Sequence, residues 1–318
     1  MTASPKVCIV GAGAVGLVYA QFLRRAGASV ALLVKPEYAD VCGRGFALHQ
    51  LRWGGRCTTE QIDDFAIYTS AEELGERDFD QIWITVASDA LRNAWLGEVL
   101  GKSRNATVVI LQPDLEDRAL VLEHIEAERL VQGLIGFLSF QSPLPQAPRL
   151  PPGIAYSLLP FTASNFDGPG AAAITTLLKR GGFAARQTND LVGISAERSA
   201  TTVPLIAGLE ASKWSISGFV KGAWLSLSID ASKEALAVVA AHLDRRPAIV
   251  RHILAPLPVR AALTLARPLA PFDLEAYLSF HFTKVGRQTR LMLETYAMLA
   301  DKHGLSNVAL RELRSGVG

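Results

Sequence analysis

The first 35 residues pass from an apolar run to a helical pattern and back to an apolar run. Residues 6–10 are apolar and rich in β-branched side chains, which predicts a short strand. Residues 14–27, AVGLVYAQFLRRAG, then carry apolar side chains at helical spacing until Gly27. Residues 28–35 form a second apolar run that ends in the charged Lys35. The pattern therefore predicts a strand–helix–strand unit at the start of the chain.

This α/β alternation continues to about residue 190. Residues 79–88, 106–113 and 130–141 are apolar runs that predict buried parallel strands of one doubly wound sheet, with a helix over residues 89–101 between the first two. The proline-rich stretch after residue 141 predicts a loop or edge strands.

From about Leu191 onward the apolar pattern is helical and no strand alternates with it. We therefore predict two domains. Residues 1–190 form a dinucleotide-binding domain of the Rossmann type, and residues 191–318 form an all-helical domain that binds substrate. The reactive end of the nucleotide is expected at the cleft between them. A homodimer through the helical domain is compatible with this organisation.

Charge and cysteine content limit the classes of partner. The chain of 318 residues has 32 Lys and Arg against 30 Asp and Glu, so it lacks the strong positive field that binds nucleic acid. Its three cysteines have no paired spacing that would predict a metal site or a disulfide. We expect a cytoplasmic protein with a small-molecule substrate, no bound metal and no nucleic-acid partner.

The chain is apolar, with 49% hydrophobic residues, yet no segment predicts an integral membrane span. The first apolar run is interrupted by glycines, so we expect no export signal. Residues 250–272, VRHILAPLPVRAALTLARPLAPF, come closest to a span, but their arginines and prolines favour short helices packed on a core. A helix lying on a membrane surface is the alternative.

The turn between the first strand and the first helix has the pattern G-x-G-x-x-G. In such a turn Gly11 permits the tight bend, Gly13 lets the backbone approach a pyrophosphate, and Gly16 lets the helix pack close to the strand. The helix N-terminus supplies N–H donors to the phosphates. The alternative is a turn whose glycines serve close packing alone. The predicted cofactor-binding residues of this turn are Gly11, Ala12, Gly13, Ala14, Val15 and Gly16.

Lys35 ends the second apolar run, nineteen positions after Gly16, where a dinucleotide fold places the residue that contacts the ribose. A cation there pairs with a 2'-phosphate, whereas an acid accepts hydrogen bonds from a 2'-hydroxyl. Lys35 therefore favours NADP(H), and it disfavours an FAD monooxygenase. NAD(H) is the alternative cofactor, because Glu37 or Asp40 could accept hydrogen bonds from the ribose hydroxyls.

Several segments together resemble the ketopantoate reductase family: the GAGAVG turn, LLVKPEYADVCGRGFAL after it, the strand end ILQ, and HFTKVGRQT near the last long helix. The resemblance is clearest over residues 6–50. It implies a Rossmann domain, a helical domain and NADPH-dependent reduction of a 2-keto acid to a 2-hydroxy acid. It also implies that Lys35 holds the 2'-phosphate and that Gln112, at the end of its strand, lies at the cofactor.

The catalytic residues of that family are not matched. Ala87 and Pro113 stand where the resemblance places a lysine and an Asn-Gly pair. Ser195 and Ser199 stand in place of the general-acid lysine and a helical asparagine, and Arg290 takes the place of the late glutamate. The resemblance therefore implies a substrate other than ketopantoate.

The segment HFTKVGRQTR offers replacement chemistry. His281, Lys284 and Gln288 are spaced i, i+3, i+7 and are predicted to share one face of a single helix. We predict His281 or Lys284 as proton donor, His281 because an imidazole titrates near neutral pH. The alternatives are that His281 is a partly buried histidine whose hydrogen bonds are made within the protein, and that Lys284 is a solvent-exposed lysine on the helix surface.

Arg290 and Ser195 complete the predicted catalytic set. Arg290 is predicted to hold an anionic group of the substrate, with a surface ion pair to Glu294 as the alternative. Ser195 forms a polar stripe with Ser199 and Thr202, and its hydroxyl is predicted to hold a substrate oxygen. Helix packing and capping are the alternative role for this stripe.

Two functions follow from these observations. The first is an NADP(H)-dependent oxidoreductase that reduces a carbonyl or imine of a small substrate. The second is a catalytically inactive nucleotide-binding or sensing protein of the same fold, which the missing family residues favour.

Overall fold

The computed structural model describes residues 4–52, 55–160 and 162–317. They divide into two compact units. Unit 1 comprises Met1–Gln112, Asp117–Pro143 and Pro148–Leu191, and unit 2 comprises Pro113–Glu116, Leu144–Ala147 and Val192–Gly318, within the described residues.

The strands of unit 1 are β1 Lys6–Val10, β2 Ser29–Leu33, β3 Phe46–Leu51, β4 Cys57–Ile62, β5 Ala66–Tyr68, β6 Gln81–Ile84, β7 Thr107–Ile110, β8 Leu130–Leu134, β9 Phe137–Ser142, β10 Gly153–Leu158, β11 Ser164–Asp167 and β12 Ala185–Gln187. Its α-helices are α1 Ala14–Arg25, α2 Ala39–Gly43, α3 Ala71–Gly75, α4 Trp95–Lys102, α5 Asp117–Leu122 and α6 Ala171–Arg180. Short 3-10 helices cover Pro36–Tyr38, Ser88–Arg92 and Ala127–Arg129.

Among the described residues, the main sheet has the order β12-β11-β8-β7-β6-β1-β2-β5. Its strands from β5 to β8 are parallel, and β11 joins β8 antiparallel. The order from β5 to β8 is that of a doubly wound dinucleotide-binding sheet, whose strand order reverses between β1 and β6. The predicted Rossmann-type sheet is therefore confirmed.

The strand–helix–strand unit at the start of the chain forms as predicted. Residues 7–10 of β1 are buried because both faces of this central strand are covered. Helix α1 ends before Gly27, whose φ of +84° is a conformation that glycine adopts without strain. The N–H of Ala28 donates to the carbonyl of Leu23 across this turn.

A second sheet, with the order β4-β3-β10-β9, contradicts the prediction of a single strand over residues 130–141. That run is two strands, β8 in the main sheet and β9 in the second sheet. Gly136 separates them, and a Cβ there would collide with the backbone of Ala163. The helix predicted over residues 89–101 is likewise a 3-10 helix followed by α4.

The helices of unit 2 are α7 Leu191–Ala211, α8 Ile216–Lys221, α9 Ala223–His242, α10 Val250–Ile253, α11 Pro256–Leu269, α12 Leu274–Lys284, α13 Gly286–Lys302 and α14 Val308–Ser315. The predicted helical character of this part of the chain is confirmed. Its larger core joins α7, α9, α13 and α14 through buried side chains such as Leu236, Tyr296 and Leu310.

The single helix predicted over the segment HFTKVGRQTR is wrong. Helix α12 ends at Lys284 and α13 begins at Gly286, with Val285 between them at φ −105° and ψ 19°. His281 and Lys284 therefore belong to one helix and Gln288 and Arg290 to the next. The spacing that placed them on one face does not apply across this break.

Candidate functional site

The glycine turn after β1 has the backbone geometry that its sequence predicts. Gly11 has a φ of +95°, and a Cβ at this position would lie 2.9 Å from Cγ1 of Val86. The N–H of Gly11 donates to the carbonyl of Leu33 at 2.9 Å, which joins the turn to the end of β2. Only glycine fits here without strain.

Gly13 and Gly16 differ in the space around them. A Cβ at Gly16 would lie 2.5 Å from Oγ1 of Thr85, 2.7 Å from the carbonyl oxygen of Gly11 and 3.0 Å from Cγ2 of Ile9. A Cβ at Gly13 would meet no protein atom within 4 Å. Gly16 therefore serves packing, whereas Gly13 leaves open space beside the backbone, where a phosphate can approach.

The N-terminus of α1 is suited to an anion. Its N-cap is Gly13, no side chain caps it, and its first turn contains no acidic residue. The first N–H groups of a helix lack intrahelical acceptors and lie at the positive end of the helix dipole. Residues 11–15 are partly exposed, so this end of the helix is accessible.

Thr85 supports the same turn and was not singled out from the sequence. Thr85 follows β6, which is the neighbour of β1 in the sheet. Its hydroxyl lies within hydrogen-bond distance of two carbonyl oxygens, that of Gly11 at 2.8 Å and that of Val10 at 3.0 Å. The ends of β1 and β6 meet where the strand order of the sheet reverses, which is where such sheets bind ligands. The only sequence signal for Thr85 is its place directly after a buried strand.

Gln112, predicted to lie at the cofactor, has a buried side chain that is engaged by the protein backbone. Its Nε2 donates to the carbonyls of Ile84 at 3.0 Å and Val86 at 2.7 Å, and its Oε1 accepts from the N–H of Leu111 at 2.9 Å. Both hydrogens of the amide nitrogen are used in this way. Gln112 is therefore a positioning residue for the loop after β6, and its amide nitrogen is not a free cofactor donor.

A buried polar cluster fixes the next part of that loop. The hydroxyl of Ser88 donates to Oδ2 of Asp117 at 2.6 Å, and Nη1 of Arg92 donates to Oδ1 of Asp117 at 3.1 Å. Nη1 of Arg92 also donates to the carbonyl of Ser88 at 2.8 Å. Ser88 follows Ala87, where the resemblance expects a catalytic lysine. Because Asp117 is 25 or more positions from Ser88 and Arg92 in the chain, no local sequence pattern indicates the cluster.

Lys35 lies two positions beyond the end of β2 and precedes the 3-10 helix Pro36–Tyr38. Its side chain is exposed, as are those of Glu37 and Asp40. The structure thus places a cation and two acids just beyond the second strand, within the same short segment. The roles predicted for them depend on the nucleotide that binds.

In unit 2, Ser195 and Ser199 are buried in α7, with 4% and 6% of their surface exposed. Thr202, the third member of the predicted stripe, is exposed, and its hydroxyl donates to the carbonyl of Arg198 at 2.9 Å. Thr202 therefore bonds to its own helix, and the stripe is not a uniform polar surface.

His281 lies among aromatic rings. It stacks on Tyr277 with ring centroids 5.3 Å apart and meets Phe282 edge-on at 4.8 Å. Burial, with a smaller contribution from the charge of Lys284, lowers the pKa of His281 to about 4. The imidazole is therefore neutral at pH 7, and the prediction of an imidazole that titrates near neutral pH is wrong. Lys284 itself is exposed in the last turn of α12.

Arg290 is paired with Glu210 of α7. Its Nη1 lies 3.4 Å from Oε1 of Glu210, and the two side chains are only 25% and 20% exposed. Burial raises the pKa of Glu210 and the charge of Arg290 opposes this rise. Glu294, the alternative partner suggested by spacing, instead pairs with Arg314 at 2.7 Å. Arg290 therefore already has a carboxylate partner within unit 2.

Within residues 4–52, 55–160 and 162–317, no group of three or more His, Cys, Asp and Glu side chains could hold a metal ion. No helix in these same ranges combines the length and apolar character required to cross a membrane.

The comparisons with known proteins agree with this fold. No curated protein is significantly similar to the chain in sequence. The chain is similar in structure to a 2-dehydropantoate 2-reductase from Geobacter metallireducens, with a TM-score of 0.71, 17% identity and 98% of each chain covered. It is also similar to a PanE/ApbA family ketopantoate reductase from Ralstonia eutropha, with a TM-score of 0.75, 16% identity and coverage of 98% of this chain and 96% of that one.

A D-mandelate dehydrogenase solved with NADH and anilino(oxo)acetate is a further structural neighbour, with a TM-score of 0.70, 14% identity and coverage of 98% and 96%. At these identities the likeness shows the fold. In sequence, residues 7–146 match the family model described as ketopantoate reductase PanE/ApbA. Residues 7–146 are therefore similar in sequence to the ketopantoate reductase family, and the chain shares the fold of solved ketopantoate reductases over nearly its whole length.

Proposed function

We propose that the chain is an NADP(H)-dependent oxidoreductase that reduces a carbonyl or imine of a small substrate other than ketopantoate. The observation that carries this proposal is the glycine turn, in which Gly16 has no room for a side chain and Gly13 faces open space. The uncapped, partly exposed N-terminus of α1 and the family match over residues 7–146 support it. NADPH, when bound, supplies the hydride.

Specific residues of unit 1 would hold the nucleotide. The N–H groups at the start of α1 would bind the pyrophosphate beside Gly13, and the ammonium of Lys35 would pair with the 2'-phosphate. Gln112 and Thr85 would hold the loop after β6 and the glycine turn in place. The solved relative with bound NADH supports a nicotinamide nucleotide as the cofactor class.

The substrate differs from ketopantoate because the residues that the family uses are replaced. Ala87 and Pro113 carry no charge, and Ser195 cannot act as the acid that a lysine would supply. A structural neighbour solved with anilino(oxo)acetate supports a carbonyl next to an acid group as one substrate class to test. Lys284 is the remaining predicted proton donor of α12, since His281 is neutral at pH 7.

The second candidate is a nucleotide-binding protein without turnover. Two observations favour it. His281 has a pKa of about 4 and is a poor proton donor at neutral pH, and the guanidinium of Arg290 is engaged by Glu210. Both candidates predict binding of NADPH and differ only in whether hydride is transferred.

The test is NADPH consumption by the purified chain with ketopantoate and a panel of other 2-keto acids, ketones and imines. We expect consumption with at least one compound other than ketopantoate, and none by a Gly13→Val variant, whose side chain would occupy the phosphate approach. A kcat for ketopantoate within tenfold of about 10 s⁻¹, a typical enzyme value, contradicts the substrate assignment. Tight NADPH binding without consumption on the whole panel supports the second candidate.

A further inference from the structure

Helices α10 and α11 expose an unusual amount of apolar surface. Five large aliphatic side chains, two of them beside or within α10 and three on α11, are each more than half exposed. We call them the 249–269 surface, and its members are Ile249 at 80%, Ile253 at 63%, Leu257 at 77%, Leu265 at 62% and Leu269 at 52%. Ordinary surface helices place polar side chains outward, so this surface requires an explanation.

Helix α11 is apolar on its outward side as well as on its buried side. Val259 is buried and packs with Leu263 in a core of unit 2. Leu257, Ala261 and Leu265 are spaced by four residues, so they lie along one side of the helix, and that side is roughly opposite Val259. All three are exposed. The outward side of α11 is therefore apolar along about two turns.

The segment that carries this surface is cationic. Residues 245–272 contain five arginines and no Asp, Glu or Lys. Arg267 pairs with Glu275 at 3.2 Å and Arg245 with Glu197 at 3.3 Å. Among the described carboxylates, none pairs with Arg260, whose side chain is exposed on α11. By helical spacing, Arg260 and Arg267 lie seven residues apart on one flank of the apolar side.

We infer that the 249–269 surface docks onto the surface of an anionic lipid bilayer. Helix α11 would lie in the plane of the interface, with Leu257 and Leu265 inserted at the boundary of the headgroups and Arg260 next to lipid phosphates. An apolar side with arginines along its flank and no acidic residue is the composition that such interfacial helices have.

The same charges disfavour a second copy of the chain as the occupant. A twofold contact brings the same patch of each subunit together. Here it would bring Arg260 of one copy towards Arg260 of the other, and residues 245–272 contain no carboxylate that could pair with either of them. An anionic lipid surface has the complementary charge.

The test is flotation of the full chain with vesicles of phosphatidylcholine alone or with about 30% phosphatidylserine, an anionic lipid. We expect binding to the anionic vesicles only. Raising the ionic strength from about 0.1 M to about 1 M, which shortens the Debye length from about 10 Å to about 3 Å, should weaken it. Arg260→Gln should weaken binding about fivefold, the contribution of one cation near such a surface.

Substitutions of exposed apolar residues separate this site from the rest of the surface. Leu257→Asp and Leu265→Asp should abolish vesicle binding, whereas Met298→Asp, at a side chain that is 55% exposed on α13, should leave it unchanged. A thermal unfolding midpoint equal to that of wild type shows that each variant is folded. Absence of binding to anionic vesicles overturns the inference, as does binding that Leu265→Asp leaves intact. Dimerisation that Leu265→Asp abolishes, in a chain that binds no vesicles, identifies a second copy as the occupant instead.

Discussion

Gly16→Ala and Gly13→Ala, two substitutions in the same turn, should affect different properties. Gly16→Ala should lower the stability, and Gly13→Ala should weaken cofactor binding. At Gly16 the added Cβ would lie 2.7 Å from the carbonyl oxygen of Gly11 and 3.0 Å from Ile9. Neither atom is the end of a long flexible side chain, so the backbone of α1 or the turn must shift. At Gly13 the added Cβ meets no protein atom within 4 Å.

The magnitudes follow from these contacts. Overpacking costs up to about 3 kcal/mol, and replacing glycine by alanine within a helix returns about 1 kcal/mol, so Gly16→Ala should lower the free energy of unfolding by about 2 kcal/mol. Gly13 has φ −79° and ψ 174°, which alanine adopts without strain. The free energy of unfolding of Gly13→Ala should therefore lie within about 1 kcal/mol of the wild-type value. Alanine lowers the entropy of the unfolded chain but is a poorer N-cap than glycine, and these two effects are similar in size and opposite in sign.

Gly13→Ala should weaken the binding of NADPH although it leaves the stability nearly unchanged. Its methyl group would occupy the space in which the pyrophosphate approaches the backbone, so the Kd for NADPH should rise at least about tenfold, equivalent to 1.4 kcal/mol. Urea unfolding followed by circular dichroism measures the stability, and fluorescence titration measures the affinity. A Gly16→Ala variant with the wild-type urea midpoint would refute the packing argument. A Gly13→Ala variant that binds NADPH with wild-type affinity would refute the proposed phosphate site.

Three further predictions concern buried polar groups. Gln112→Leu leaves the carbonyls of Ile84 and Val86 without their donor and should lower the free energy of unfolding by roughly 1–3 kcal/mol, measured in urea; an unchanged midpoint contradicts the positioning role. Arg290→Leu leaves Glu210 largely buried without its cation. Its stability deficit in urea should be largest at pH 7 and shrink towards pH 5 as the carboxyl takes up a proton, and a deficit independent of pH excludes the ion pair as its cause. His281 has a folded pKa of about 4 against an ordinary value of 6.5, so protonation favours the unfolded chain below pH 6.5; wild type should lose up to about 3 kcal/mol relative to His281→Phe between pH 6.5 and 4, and parallel pH profiles would show that burial does not hold this imidazole neutral.

Local spacing predicted the parts of the fold that depend on neighbouring residues. The first strand, the glycine turn and α1 lie within about 25 residues, so their apolar pattern and glycines determine them. The second sheet was missed because β10 pairs with β3 about 100 positions earlier in the chain. No local pattern distinguishes a strand of one sheet from a strand of the other.

The candidate site was predictable to the same extent. Gly11, Gly13 and Gly16 have the geometry expected of them because their roles follow from backbone conformation and space. The pKa of His281 depends on burial, and the partner of Arg290 is Glu210, 80 positions earlier in the chain. Spacing along the chain shows neither of these, so it predicted an imidazole that titrates near neutral pH and an arginine available to the substrate. Gly286, at the start of α13, is a local signal from which a break between α12 and α13 could have been predicted, because glycine weakens a helix.

The role of Lys35 in binding the 2'-phosphate is tested by the ratio of the Kd values for NADH and NADPH. This ratio is measured by titration of wild type, Lys35→Ala and Lys6→Ala at one salt concentration. Lys6 is the matched control because its exposed side chain lies at the start of β1, at the opposite end of the strand from the glycine turn. Wild type should bind NADPH more tightly than NADH, Lys35→Ala should lower this ratio about fivefold or more, and Lys6→Ala should leave it unchanged. Equal affinity of wild type for the two nucleotides, or a ratio that Lys35→Ala does not alter, contradicts an NADP(H) site at Lys35.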